Sequence, residues 1–267
     1  MENGIAQGGY TGIDKGLFDG DYTGTNGGLA NGIYNENRIY QESINGQIVR
    51  NGLVLNLDAG NRASYVGSGT AWRDLSGNGR NGTLTNGPTF NSGNGGSIVF
   101  DGSNDHVSVT GSITMSTGTF IAWVYRNGSQ NQYAGLVFAR DAGGANGITT
   151  YNGFLGNNQI GYHWHPTNAF SWNSGLVTPD LAWCMCAVSV GSTSAIAYLC
   201  QATGITSATN AISHSSVTIG GINIGWDSDS ETRRFKGNIA IAQIYNRNLS
   251  PTEIAQNFNA TKSRFGL

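Results

Sequence analysis

Phe120-Ile121-Ala122-Trp123-Val124-Tyr125 carries an apolar or aromatic side chain at every position. In a strand, successive side chains point to opposite faces. Ile121, Trp123 and Tyr125 therefore share one face, and Phe120, Ala122 and Val124 the other. Either set can meet a core, and Trp123 is assigned to one. On both sides of this segment lie short, often alternating apolar runs. They are Leu53 to Leu57, Ile98 to Phe100, His106 to Val109, Gly135 to Ala139, Gln159 to Trp164, Trp183 to Val190, Ala195 to Cys200, Val217 to Ile219 and Ile239 to Tyr245. Asn-Gly, Gly-Ser and Asp-Gly pairs punctuate them, as turns require. Many short strands without intervening helices predict an all-β sandwich or jelly roll.

One helix is predicted after the last strand. Ser250-Pro251-Thr252-Glu253 supplies an N-cap serine, a proline at the first helical position and a glutamate three residues after the cap. Leu249 and Ile254 fit a hydrophobic staple, and Ile254 and Phe258, four apart, share one stripe. This helix is expected to pack on the sheet edge and close the domain. The tail beyond it, 262–267, is left free or in contact with a neighbour.

Composition narrows the function. The 267 residues carry a net charge of -2, and only 11% are charged. A basic face for nucleic acid is not expected, nor is a polybasic membrane surface. No run of 18 apolar residues suggests a membrane span, and Met1 to Tyr10 lacks the basic head and apolar centre of a signal peptide. Three cysteines, Cys184, Cys186 and Cys200, lie in apolar text. They read as buried thiols, with a bridge from Cys200 to one of the other two as the alternative.

Residues 1–50 differ from the rest. Glycine recurs at 8, 12, 16, 20, 24, 28 and 32, with Tyr10, Phe18, Tyr22 and Tyr34 among the intervening residues. A helix would lose about 1 kcal/mol at each glycine. This is read as an extended arm whose aromatics pack on the globular domain or on a partner, a plain disordered tail being the alternative. The sandwich is then placed at 51–261.

Several linked motifs carry a resemblance. They are Leu53-Val-Leu-Asn-Leu-Asp58, Trp72-Arg-Asp74-Leu-Ser76-Gly77-Asn78-Gly79, Ile98-Val-Phe100-Asp101-Gly102, Phe120-Ile-Ala-Trp123-Val, and Phe235-Lys-Gly237-Asn-Ile239 through Tyr245-Asn246-Arg247 to Ser250. Over about 51–261 the chain resembles the concanavalin A-like, laminin G-like domains, of the type found in bacterial surface proteins and tailed-phage virion proteins. The resemblance implies a concanavalin A-like antiparallel β-sandwich (jelly roll) with a short C-terminal helix. Where relatives often carry an acidic pair, this chain has Ala240, Ile241 and Ala242, and their Tyr-Val-Asn-Gly hairpin is Tyr198-Leu199-Cys200-Gln201 here.

Candidate chemistry follows. Asp74, Ser76, Asn78 and the Arg80 carbonyl fall at spacings used by calcium loops, although Thr85 stands where the bidentate glutamate belongs. A glycine-rich turn held by Asx hydrogen bonds explains the same text without metal. Asp101, Ser103 and Asp105, with Asp58 nearby, form a second oxygen cluster, and Asp227, Asp229 and Glu231 a third. His163 and His165 share a strand face but lack a third ligand. The chain has five glutamates and no alternating carboxylate strand of the glycosidase kind, so it is not expected to be an enzyme. Tyr162, Trp164, Asn168, Phe170 and Trp172 combine rings with an amide and are the candidate glycan platform.

What the resemblance implies is a non-enzymatic virion structural protein, a capsid decoration protein or fibre-like appendage. It would be assembled in the host cytoplasm and displayed on the virion surface. Its expected partners are other virion proteins and copies of itself, a trimer first, with Tyr10, Phe18, Tyr22 and Tyr34 in the assembly contact. No cofactor is required, and calcium is the one allowed for. The alternative is a lectin-like module for host glycans.

Overall fold

The computed structural model describes residues 46–141, 144–150, 158–165 and 172–267. The expected arm contacts Tyr10, Phe18, Tyr22 and Tyr34 lie outside these residues, as do Asn168 and Phe170. Eighteen strands occur among the described residues. In chain order they are β1 Leu53–Asp58, β2 Ala71–Trp72, β3 Gly82–Thr85, β4 Thr89–Asn91, β5 Ser97–Asp101, β6 His106–Val109, β7 Ile113–Met115, β8 Gly118–Arg126 and β9 Gly135–Asp141. Then come β10 Gly144–Thr149, β11 Gln159–Trp164, β12 Trp172–Val177, β13 Trp183–Val190, β14 Ala195–Gln201, β15 Gly204–Asn210, β16 Val217–Ile219, β17 Ile222–Ile224 and β18 Lys236–Tyr245.

Two eight-stranded sheets result. The first runs β15-β14-β13-β8-β18-β5-β4, with β1 also paired to β18, and the second runs β12-β11-β10-β9-β17-β6-β3-β2. Strands β16 and β7 form a separate small pair. All the pairings between these strands are antiparallel. The main core lies between the sheets, where Phe120, Ala122 and Val124 of β8 meet Tyr162 and Trp164 of β11 and Val137 of β9.

The first sheet has a second buried face. Helix α1, Pro251–Thr261, lies on it, so the helix covers a face and not the expected edge. The capping box forms as predicted, with Ser250 accepting from the Glu253 N–H and Glu253 accepting from the Ser250 N–H. Trp123 is buried under this helix and not between the sheets. It stacks on Phe258 at 5.6 Å and Phe265 at 4.1 Å, and its Nε1 donates to Thr261 Oγ1 at 2.9 Å. Both parities of β8 are thus apolar because both faces are covered. Residues 262–267, expected as a tail, are docked. A 3₁₀ turn seats Phe265 on Trp123, and Arg264 bonds Asp58 at 2.5 Å.

The packed unit also begins before 51. The Val49 N–H donates to Asn257 Oδ1 at 2.8 Å, and its carbonyl accepts from the Tyr245 hydroxyl at 3.0 Å. No strand forms at 47–50. All three cysteines are free and buried. Cys184 and Cys186 face the inter-sheet core and Cys200 the helix side, so a bridge to Cys200 would need the backbone to turn over. Gly237 of the Phe235-Lys-Gly237 motif sits at φ 138°, where a Cβ would collide with the Tyr125 carbonyl. Glycine there lets β18 lie close to β8 while it changes partner between β5 and β1.

Candidate functional site

Helix α1 leaves one end of the outer face of the first sheet open. Five neighbouring strands meet there. Trp183 of β13 pairs with Tyr125 of β8, Tyr125 pairs with Asn238 of β18, and Asn91 of β4 pairs with Ser97 of β5. The 3₁₀ turn Gly93–Gly95 rises beside them. Together these residues line a hollow of about 300 Å³: Asn91, Asn94, Ser97, Tyr125, Trp183 and Asn238, with Gly93 at the rim.

The rings of Tyr125 and Trp183 are 5.6 Å apart and half-buried. Phe265, 4.7 Å from Trp183, fixes the indole from the helix side. The amides are held in place. Trp183 Nε1 donates to Asn94 Oδ1 at 3.1 Å, and Asn238 Nδ2 donates to Ser97 Oγ at 3.0 Å. Asn91 Oδ1 accepts from the Gly93 N–H at 2.8 Å, closing an Asx turn. Asn94 takes φ 52°, a left-handed conformation that asparagine tolerates better than most residues. The Tyr125 hydroxyl, Asn238 Oδ1 and Asn91 Nδ2 make no hydrogen bond among the described residues. No Asp, Glu, Lys or Arg lines the hollow. A second hollow of about 370 Å³ lies across the Tyr125–Trp183 wall, bounded by Leu181, Ala182, Phe265 and Leu267.

The expected glycan platform is not this surface. Tyr162 and Trp164 are fully buried in the inter-sheet core. Trp164 Nε1 donates to the Ser215 carbonyl at 2.8 Å, and the Tyr162 hydroxyl meets His214 Nε2 at 2.8 Å. Burial pushes the Tyr162 hydroxyl up to about 12. Neither ring offers a face to a ligand, which corrects the expectation for both. Trp172 is half-buried with its ring 5.5 Å from Tyr162.

The loop expected to hold calcium is braced by its own hydrogen bonds. Asp74 Oδ1 accepts from the N–H groups of Asn56 at 2.9 Å and Ser76 at 2.8 Å. Its Oδ2 accepts from Ser76 Oγ at 2.7 Å and the Arg80 N–H at 3.1 Å. Asn78 Nδ2 turns back to Ser76 Oγ at 2.9 Å. These are the hydrogen bonds of an Asx turn, and they lay the loop along β1. Asp101 likewise accepts from the N–H groups of Ser103 and Asn104. No group of three or more His, Cys, Asp or Glu is gathered for a metal among the described residues.

Charge concentrates on the outer face of the second sheet. Asp227 is fully buried and accepts from Arg140 Nε at 2.6 Å and Arg233 Nη1 at 2.7 Å. Asp229 meets Arg233 at 2.7 Å and Arg140 at 3.3 Å. Burial works against the charged form of Asp227, but the bonds from Arg140 and Arg233 outweigh it and hold its carboxyl below the usual range. His163 lies beside this network, edge-on to Tyr133 and Phe138, and burial pushes it down to about 4. Nearby, Arg234 bonds Glu231 at 2.5 Å and His106 Nδ1 at 2.9 Å, with its guanidinium 3.5 Å from the Trp226 ring centroid.

Comparison with known proteins agrees with this fold. The family model of the Concanavalin A-like lectin/glucanases superfamily (Laminin_G_3) matches residues 101–255. No curated protein matches the sequence. Among solved structures, domain 4 of AbnA is similar, with a TM-score of 0.55 and 18% identity over 78% of this chain and 98% of that domain. AbnA is a GH43 extracellular arabinanase from Geobacillus stearothermophilus, and that structure is a complex with arabinotriose. Trypanosoma rangeli sialidase in complex with the inhibitor DANA is similar with a TM-score of 0.56 and 14% identity, over 90% of this chain. The chain spans only 40% of the sialidase's length. At these identities the likeness is one of fold.

Proposed function

We propose that this chain, which belongs to the concanavalin A-like lectin/glucanases superfamily, is a carbohydrate-binding module that takes an uncharged glycan in the Tyr125–Trp183 hollow. One observation carries the reading. Two fixed aromatic rings and several unspent polar atoms line a concave site free of Asp, Glu, Lys and Arg. Sugar rings offer apolar C–H faces and hydroxyl edges. Rings and amides answer those two features, and most binding pockets combine an apolar wall with a few placed polar groups. The arabinotriose bound to the similar arabinanase domain supports the same ligand class.

Binding is favoured over hydrolysis. Glycosidases place two carboxyl groups about 5 to 9.5 Å apart across the scissile bond, and no carboxylate lines this hollow. A place on a phage virion, which the sequence resemblance brought in, has no observation of its own in the fold or the comparisons.

The test is a neutral-glycan array followed by titration calorimetry, with arabinotriose as the first soluble probe. Binding is expected, with quenching of tryptophan fluorescence. Trp183→Ala is expected to weaken it at least about tenfold, or 1.4 kcal/mol. An array with no neutral glycan retained overturns the reading, as does binding that Trp183→Ala and Asn238→Ala both leave unchanged.

A further inference from the structure

The sheet edges of this sandwich are not treated alike. Edge strands expose unpaired N–H and C=O groups and usually carry a device that stops another strand from adding. Strands β2 and β4 are two and three residues long. The free side of β1 is covered by the Asp74 loop, through Asn56 to Asp74, Leu75 to Asn56, Asn78 to Leu53 and Arg80 to Val54. Strand β12 is bulged, with a register shift against β11 and Gly175 at φ 77°, its N–H turned to the Gln159 and Asn173 side chains.

Among the described residues, strand β15 has no such device. It runs seven residues, Gly-Ile-Thr-Ser-Ala-Thr-Asn, in unbroken register with β14 from Ala195↔Asn210 to Gln201↔Gly204. It has no proline and no charge, and Gly204 through Ser207 are exposed. The sequence around it is equally neutral. Between Asp141 and Asp180, and again between Asp180 and Asp227, there is no Asp, Glu, Lys or Arg. Apolar surface gathers at this end. Of the four exposed large hydrophobics among the described residues, Val177, Leu181 and Ile205 lie here, on β12, just beyond it and on β15.

We infer that β15 is a homodimer interface, on which the β15 of a second copy pairs antiparallel across a two-fold axis at Ser207. The connection to β14 is two residues, Ala202 and Thr203, so Gln201 and Gly204 form a hydrogen-bonded pair and the pattern alternates from there. Ile205, Ser207 and Thr209 therefore turn their N–H and C=O groups to the open edge. A two-fold at Ser207 sets Ser207 against its own copy, and Ile205 against Thr209 in both directions. Every group on the open edge from Ile205 to Thr209 then finds a partner. Ile205, Ser207 and Thr209 also share the outer side-chain face, so the facing pairs are small or β-branched and uncharged. A strand of another protein could use the same groups. The second copy is the occupant for which this edge already supplies a matching register and no opposing charge.

The experiment is sedimentation and light scattering on the full chain across a concentration series, with two variants on the exposed edge. Dimer at twice the 28.1 kDa chain mass is expected at high concentration. Ile205→Lys adds a charge opposite Thr209, and Ser207→Pro removes an N–H that β14 does not use, a place where proline is tolerated. Both are expected to stay monomeric at wild-type thermal stability and circular dichroism, which separates a lost interface from a lost fold. Ser207→Cys is expected to cross-link two chains on oxidation, because a hydrogen-bonded antiparallel pair holds Cα atoms about 5.5 Å apart, within disulfide reach. A chain monomeric at all concentrations overturns the inference, as does a dimer that survives both variants. A trimer overturns it too, since one edge paired with itself closes at two copies.

Discussion

The outer faces of the two sheets spend their polar groups in opposite ways. On the second sheet, Asp227, Asp229, Arg140 and Arg233 form two carboxylates against two guanidinium groups, and each charge has a partner within the network. On the first sheet, the Tyr125–Trp183 hollow is lined by no formal charge, yet among the described residues a hydroxyl, an amide oxygen and an amide NH₂ there are unspent. Perturbed titrations often mark functional sites, and here they would point to the second sheet. The bonding points the other way. A saturated network holds the loop from Trp226 to Arg234 on its sheet, while polar atoms without an internal partner are free to meet a ligand.

The sharpest way to break this contrast is Asp227→Asn. It leaves two partly buried guanidinium groups short of a counter-charge, and breaking one side of a buried pair costs about 3–5 kcal/mol. The melting temperature is expected to fall by roughly 10 °C for a domain of this size. Glycan affinity at temperatures where the variant is folded is expected to stay within about twofold, a difference of under 0.5 kcal/mol. An unchanged melting temperature with lost binding would reverse the roles assigned to the two faces.

A pH series reaches the same face. Burial holds His163 down to about 4, so it is neutral in the folded state at pH values where the unfolded chain, near 6.5, takes up a proton. The contribution of His163 is therefore fully present above about 6.5, falls as the pH drops, and levels off below about 4, with a loss from this one group of about 3 kcal/mol. His106, lowered mainly by burial, adds in the same direction. Chemical denaturation between pH 7 and pH 4 checks this, and His163→Gln is expected to flatten most of the slope. A wild-type curve already flat over that range would mean that His163 titrates as an ordinary exposed histidine.

Legibility in the sequence followed how local each feature is. The capping box of α1 could be read because Ser250, Pro251 and Glu253 act within one turn. The strongly apolar strands could be read for the same reason. Strands β10 and β15, Gly-Ala-Asn-Gly-Ile-Thr and Gly-Ile-Thr-Ser-Ala-Thr-Asn, could not, because pairing and not their own side chains makes them strands. Trp123 shows the limit of parity. Both faces of β8 are covered, one by the second sheet and one by the helix, so alternation alone does not say which face Trp123 occupies. The chemistry proposed for the hollow, rings beside amides, was legible as a kind, but Tyr162 and Trp164 of the expected run are buried in the inter-sheet core. Asn91, Ser97, Tyr125, Trp183 and Asn238 come from five strands and meet only through register. The one local hint was the turn cluster Asn91-Ser92-Gly93-Asn94.

The smallest effect sharpens the contrast most, because it removes a single unspent atom. Tyr125→Phe deletes a hydroxyl that bonds to nothing among the described residues and keeps the ring against Trp183. If that hydroxyl serves only the ligand, the melting temperature stays within about 1 °C, because a surface change of this kind lies within about 0.5 kcal/mol. Glycan affinity then falls about fivefold, the value of one hydrogen bond near 1 kcal/mol. Asn238→Ala is the companion. Its Nδ2 is spent on Ser97 Oγ while its Oδ1 is free, so it is expected to lose both stability and affinity, each by about 1 kcal/mol. A hollow built for packing would give the reverse pattern for Tyr125→Phe, a lower melting temperature with binding intact. One hydroxyl therefore separates a binding face from a structural one more cleanly than any charge on the second sheet.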